Sequence, residues 1–286
     1  MPQLAFAHSF RHSYDTLEKP AKAGVRKAMK KARTLPMVAL NAETILFAKE
    51  VTPPLTARPR RRTVPQPLTL AEMLAVLDIP RSVSDLRRYY LATGDAAFTG
   101  GQFDHLGGGG DRPETAGAIT AEDLVAVELL NVRVPPRSAL DLLQGPLGER
   151  VAVELARIPV DVALGADKAY PLVVAGGAAD TAWRALRGAD GIGRVIAGKL
   201  LARKRPRLVP VYDAVVSCAY RTGTGFWEWL HGRLREEDGV LGQRLRALHE
   251  KAELPDVVSL IRVLDVVFWM RHRPAHSNPC TGIRLP

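Results

Sequence analysis

LRGADGIGRVIAGKLLARKRPRLVPVYD, residues 186–213, decides how the rest of the chain is read. Leu186 and Ala189 precede Gly191, and Ala197 lies one helical turn beyond Gly193, so small or apolar side chains recur where two short helices joined at a Gly-Ile-Gly turn must touch. Gly191 and Gly193 permit backbone conformations closed to other residues, and Ile192 between them is placed to plug the turn into a core. A helix starting near Arg194 has first-turn amides without intrahelical partners and the positive end of its dipole, and both attract phosphate. Arg194, Lys199, Arg203, Lys204, Arg205 and Arg207 fall between Gly191 and Val211, with no acidic residue among them. Lys199 and Arg203, four apart, share a helix face. The expected function is therefore DNA binding. Gly191, Ile192, Gly193 and Arg194 form the turn that grips phosphate, and Lys199, Arg203, Lys204 and Arg205 add electrostatic affinity.

A carboxylate, Asp213, ends the stretch, beyond a loop that contains Pro206 and Pro210. It precedes the apolar run 214–220 and so suits a helix N-cap that accepts amide hydrogen bonds. The same carboxylate suits a catalytic role, stabilising positive charge on a sugar or orienting a water. Tyr212, Tyr220, Phe226, Trp227 and Trp229 lie close by in sequence and serve either as core or as the walls of a pocket for a flipped base.

Residues 186–213 resemble the helix-hairpin-helix DNA glycosylase superfamily, in which a hairpin of the form L-x-x-(small/apolar)-x-G-(I/V)-G-x-x-x-A leads through a helix and a Pro-containing loop to a catalytic aspartate. The resemblance implies that Asp213 is the catalytic residue of a monofunctional enzyme that cleaves an N-glycosidic bond without strand scission. Val195 stands where bifunctional members carry a lysine, and Asp190 stands where a proline is frequent. The iron-sulfur cluster of some members needs four cysteines and this chain has Cys218 and Cys280 alone, so no cofactor is expected. A non-catalytic DNA-binding module, with Asp213 only capping a helix, is the competing class. Residues from about 86 to 272 also resemble an uncharacterised actinobacterial family. The likeness runs through Tyr89-Tyr90, the turn Phe98-Thr99-Gly100-Gly101-Gln102-Phe103, the segment ITAEDLVAV at 119–127, the hairpin itself and LDVVFWM at 264–270. It implies no activity.

With 286 residues, 47% hydrophobic and 24% charged, the chain can bury a substantial core and reads as one main domain with a smaller appendage. No apolar run approaches a membrane span and no secretory pattern opens the sequence, so a cytoplasmic protein without a membrane partner is expected. The formal net charge of +10 is unevenly spread. Residues 1–62 hold six lysines and seven arginines against Asp15, Glu18, Glu43 and Glu50, while the remainder is nearly balanced. This composition divides the chain into a basic helical N-terminal segment (1–51), a Pro/Arg-rich linker (52–67), a helical domain (68–271) and a C-terminal tail (272–286). In the first, Val25, Met29 and Ala32 form one face of a strongly basic amphipathic helix. FRHSYDTLEKPAKAGVRKAMKKARTLP, at 10–36, resembles the opening helices of ribosome-dependent ribonuclease toxins, a likeness that carries no catalytic residue. It leaves a further alternative, an accessory protein that binds protein or RNA through this segment.

The expected fold is mostly α: a multi-helix domain built around the hairpin, with a small basic α(+β) appendage. Helical periodicity covers 70–77 and 84–91, with Ser82 or Ser84 as a cap, a pair that also fits a helix-turn-helix. It continues from Thr120 in a near capping box with Asp123, from Ser138 through 139–143, and over 149–157, 178–187, 227–235, 243–250 and 257–271. Glycines at 100, 101 and 107–110 make 96–112 a loop, and no Walker lysine follows them. Strands are expected only at 38–47 and 171–174. His272, His276 and Cys280 recur at four-residue intervals, but Pro274 and Pro279 interrupt any helix and no second cysteine is near in sequence. No metal site is expected, and the tail is expected to fray.

Overall fold

The computed structural model describes residues 66–276, 280 and 282–285. The chain divides between Thr63 and Val64. The basic helices of 1–51, the strand at 38–47 and nearly all of the linker lie outside the described residues.

Every regular element among the described residues is helical. α1 (Leu70–Val76) opens on a capping box in which the Glu72 carboxylate accepts the Thr69 amide at 2.8 Å. α2 (Ile79–Tyr90) starts earlier than Ser82 or Ser84 would have it, because the Asp78 carboxylate accepts the Arg81 amide and Pro80 occupies a first-turn position where a missing N–H costs nothing. The loop that follows condenses into 3-10 turns at Gly94–Ala96, Thr99–Gln102 and Leu106–Gly108. Gly101 packs so tightly on α2 that a Cβ there would lie 2.6 Å from the Tyr89 carbonyl oxygen.

α3 (Ala121–Glu128) carries the expected Thr120–Asp123 capping box. α4 (Pro136–Gln144) begins at a proline rather than at Ser138, whose hydroxyl is committed elsewhere. α5 (Pro146–Ala156) is followed by the short α6 (Tyr170–Val173), which occupies the segment expected as a strand. Pro171 is tolerated in the first turn of a helix, and Val173 is buried there. Then come α7 (Ala178–Arg187), α8 (Arg194–Lys204), α9 (Ala214–Tyr220), α10 (Phe226–Arg235), α11 (Val240–Ala252) and α12 (Leu260–His272). α7 packs on α5 and α8, and α8 packs also on α3. α2, α9 and α11 surround α12, which is why its residues from Ile261 to Phe268 are all buried. None of these helices is long and apolar enough to cross a membrane.

The C-terminal segment does not fray at its described positions. Ile283 is buried in the core, its carbonyl accepts a bond from Arg221, and Cys280 is joined to Cys218 of α9 by a disulfide with a Cα–Cα distance of 5.8 Å. The spacing of the two cysteines hid this pairing because it depends on the chain turning back past the end of α12.

Candidate functional site

The turn between α7 and α8 has the geometry its glycines require. Gly191 adopts φ +69°, and a Cβ there would lie 2.5 Å from Pro135 Cγ. Ile192 is buried beneath it. Gly193 is the extended residue preceding α8, no side chain caps the first-turn amides, and Gly191, Gly193 and Arg194 are exposed. Two hydrogen bonds hold the elbow from outside: the Ser138 hydroxyl donates to the Asp190 carbonyl at 2.7 Å, and the Trp183 indole donates to the Arg194 carbonyl at 3.3 Å. On one flank a recess of about 530 Å³ is lined by Arg137, Arg150 and Arg184 and also by Asp141 and Asp190. Arg184 is bridged to Asp180 at 2.8 Å, whereas the guanidinium of Arg187 lies 4.6 Å from the centre of the Trp183 ring.

The cations expected to extend this surface face inward. Lys199, Arg203, Lys204 and Arg205 are all buried, with Arg203 and Lys204 at 2% and 0% exposure. Lys199 Nζ donates to the Leu130 carbonyl at 2.8 Å. Arg203 donates to Asp123 at 3.2 Å and to the carbonyls of Phe103, Asp104 and Leu106. Lys204 Nζ donates to the other Asp123 oxygen at 2.8 Å. Arg205 binds the carbonyls of Ala116, Leu155 and Ile158 as well as that of Lys204. Lys199 and Arg203 do share a helix face, but α3 and the glycine-rich loop cover it. These four side chains are therefore internal clamps and contribute no phosphate-binding surface.

On the other flank of the elbow a cleft of about 510 Å³ has aromatic walls, Trp183, Tyr212, Phe226 and Trp227, and a rim bearing Arg187 and Arg194. Tyr212 stacks on Phe226 with centroids 4.2 Å apart, and Trp183 meets Trp227 edge-on at 6.2 Å. Three of the five aromatic residues picked out in the sequence thus line a cavity. Tyr220 instead is fully buried against Phe268, and Trp229 packs against both Phe226 and Tyr220. Trp183 was missed, because it comes from the preceding helix.

Asp213 caps α9. One carboxylate oxygen accepts the amides of Val215 and Val216 at 2.9 and 3.0 Å, and the other lies 3.9 Å from Lys199 Nζ. The side chain keeps 21% exposure and stands next to the cleft wall at Tyr212 rather than in the cleft itself. Burial pushes the Lys199 ammonium below its usual range, and the Asp213 charge partly restores it.

Behind Asp213 lies a buried polar network that sequence reasoning passed over. Arg262 donates to Asp104 at 3.2 Å and to the Tyr89 hydroxyl at 3.4 Å, and the Tyr90 hydroxyl also donates to Asp104. Asp265 accepts the Val211 amide at 2.7 Å through one oxygen, while its other oxygen is buried without a protein partner. Burial pushes the Asp265 carboxyl well above the usual carboxylate range, against the pull of Arg262 and the Val211 amide. The signal was present as two charges, Arg262 and Asp265, inside the otherwise apolar run of α12.

Farther off, at the end of α12, the sulfurs of Cys218 and Cys280 and a ring nitrogen of His272 lie within 4.8 Å of one another. Burial pushes the His272 imidazole below its usual range, and neighbouring His276 adds to the effect.

These observations define an all-helical domain, as described, with a glycine-turned elbow between a basic recess and an aromatic cleft. The chain belongs to a family of unknown function, DUF6308, whose model matches residues 82–272 and so spans the elbow, the cleft, Asp213 and the buried network. No curated protein and no solved structure matches the chain.

Proposed function

We propose that this chain binds DNA through the α7–α8 elbow and receives one unstacked base in the cleft walled by Trp183, Tyr212, Phe226 and Trp227. The observation that carries the reading is the exposed, uncapped start of α8 beside an aromatic cleft of base-holding size. A glycine at positive φ, a buried isoleucine and an exposed second glycine are also what the helix-hairpin-helix resemblance implies. In this reading the elbow amides and Arg194 take a backbone phosphate, and Arg187 adds a second contact. Arg137 and Arg150 hold the strand farther along.

The same reading makes Asp213 the catalytic residue of a monofunctional N-glycosylase. The base leaves with the electron pair of its N-glycosidic bond, the Asp213 carboxylate stabilises the sugar cation, and water adds to that cation and gives up a proton that neutralises the departed base, leaving an abasic site. Tyr212 walls the cleft and precedes Asp213 directly, so a base seated there brings its sugar toward the carboxylate. A second reading, binding without catalysis, is favoured by the two amide bonds that already occupy one Asp213 oxygen.

Duplex binding measured by fluorescence anisotropy over a salt series tests the interface. Affinity should fall with salt and drop at least tenfold in Gly193→Asp; binding that ignores both changes refutes it. Incubation with duplexes carrying deaminated or alkylated bases, followed by alkaline cleavage, separates the two readings. Abasic product from wild type but not from Asp213→Asn supports catalysis, and no product from either leaves the binding module.

A further inference from the structure

We propose that in the reduced chain Cys218, His272, His276 and Cys280 bind one zinc ion that pins the C-terminal segment to α9. His272 Nε2 lies 3.0 Å from Cys218 Sγ and 3.3 Å from His276 Nδ1. The Cys280 sulfur completes a cluster whose Cys and His272 donors fall within 4.8 Å of one another. Zinc–nitrogen bonds of about 2.0–2.1 Å and zinc–sulfur bonds of about 2.3 Å in a tetrahedron set donors roughly 3.3–3.8 Å apart, so the two separations from His272 are near that spacing, while the sulfurs, bonded to each other here, move apart on reduction and His276 swings in to complete the site. Two sulfurs with two imidazoles is also a donor set that selects zinc among the common divalent ions.

Local structure brings the two imidazoles together despite the proline between them. α12 ends at His272, and the 3-10 turn Arg273–Ala275, with Pro274 in its first turn, returns His276 so that the ring centroids are 5.2 Å apart. The intervals of four residues among His272, His276 and Cys280 thus converge, and the second sulfur arrives from α9, distant in sequence but adjacent in space. His272 is 2% exposed, and a buried imidazole needs a partner. A disulfide alone gives it little, since a disulfide sulfur is a weak acceptor and asks for no histidine. Two thiolates cancel the charge of the dication, so the site adds no net charge beside the buried Cys218 and His272. In the oxidised chain the sulfurs are bonded to each other and cannot act as thiolates. The inference is independent of DNA binding.

The test is to purify the full chain in the presence of a phosphine reductant, which takes the disulfide to two thiols, and to measure metal content, thiol reactivity and cobalt spectra. The expected result is one zinc per chain, with both thiols protected until a chelator is added. Cobalt exchange should give the intense visible bands of a tetrahedral thiolate site. His276→Ala, at a half-buried position that leaves the core intact, should weaken metal binding at least tenfold, and His272→Ala should do so further. Reduced, folded protein with free thiols and no bound zinc or cobalt overturns the proposal. So does a cobalt spectrum and affinity unchanged in both histidine variants.

Discussion

Replacing Asp123 by asparagine removes one charge from a site where two buried cations depend on it. Arg203 Nε sits 3.2 Å from one oxygen and Lys204 Nζ 2.8 Å from the other, and all three side chains are almost wholly out of solvent. Arg203 keeps three carbonyl partners, those of Phe103, Asp104 and Leu106, whereas the Lys204 ammonium has no other hydrogen-bond partner among the described residues. Burial already pushes that ammonium down, with Asp123 opposing. Breaking a buried ion pair by deleting one partner costs about 3–5 kcal/mol, and the retained Arg203 bonds favour the lower end. An asparagine oxygen at the Oδ2 position still accepts the Thr120 amide and Lys204 Nζ, so the α3 cap should survive, while its NH2 is set against the Arg203 Nε donor and Lys204 loses its counter-charge. For a domain of this size a loss of about 3 kcal/mol lowers Tm by roughly 6–12 °C. Urea unfolding of wild type, Asp123→Asn, Lys204→Met and the double variant forms a cycle, and the double variant should recover at least half of the loss, a coupling of about 1.5 kcal/mol or more. A loss below about 1 kcal/mol for Asp123→Asn would refute the internal-clamp reasoning. So would a Lys204→Met protein that keeps its stability and loses DNA affinity, since that pattern belongs to a surface cation.

Gly193→Asp should separate folding from binding: nothing lies within 4 Å of a Cβ there, and aspartate is a preferred N-cap. A gain of about 0.5 kcal/mol in unfolding free energy is expected alongside the tenfold loss of duplex affinity, and a parallel loss of both would show only a damaged elbow. Ser138→Ala deletes the bond to the Asp190 carbonyl and should cost about 1 kcal/mol by denaturant titration. Asp213→Ala should cost about 1–2 kcal/mol through the lost cap while Asp213→Asn costs less than about 0.5 kcal/mol, so near-equal losses would argue against capping by this side chain. Asp265 has its folded pKa raised above the unfolded value of 3.8, so the stability it contributes is full below that value and is lost as pH rises through the folded pKa. Asp265→Asn removes that loss, and its advantage in urea should grow from acid toward neutral pH; an advantage independent of pH refutes the assignment.

What was legible in the sequence was local. The Gly-Ile-Gly turn needs only its own backbone and the apolar residues a helical turn away, and the Thr120–Asp123 cap needs only neighbours. Asp78 and Pro80 moved the start of α2 for equally local reasons that a preference for serine caps concealed. The basic run after the turn failed because its meaning depends on Asp123, some 80 positions away, and on loops that supply bare carbonyls. The segments carrying Phe103, Asp104, Leu106 and Ala116 form turns rather than long helices, so their carbonyls lack regular partners, and a buried guanidinium with five donors satisfies several at once. This inverts the electrostatic argument at the elbow. Net charge near a glycine turn overstates the field that a phosphate meets, because each buried cation of α8 is already spent on a carboxylate or a carbonyl. On the proposed reading, affinity for DNA comes from cations left in solvent, Arg187 and Arg194 at the elbow with Arg137 and Arg150 beside it. The salt dependence of that binding should accordingly follow those four and not the buried Lys199, Arg203, Lys204 and Arg205.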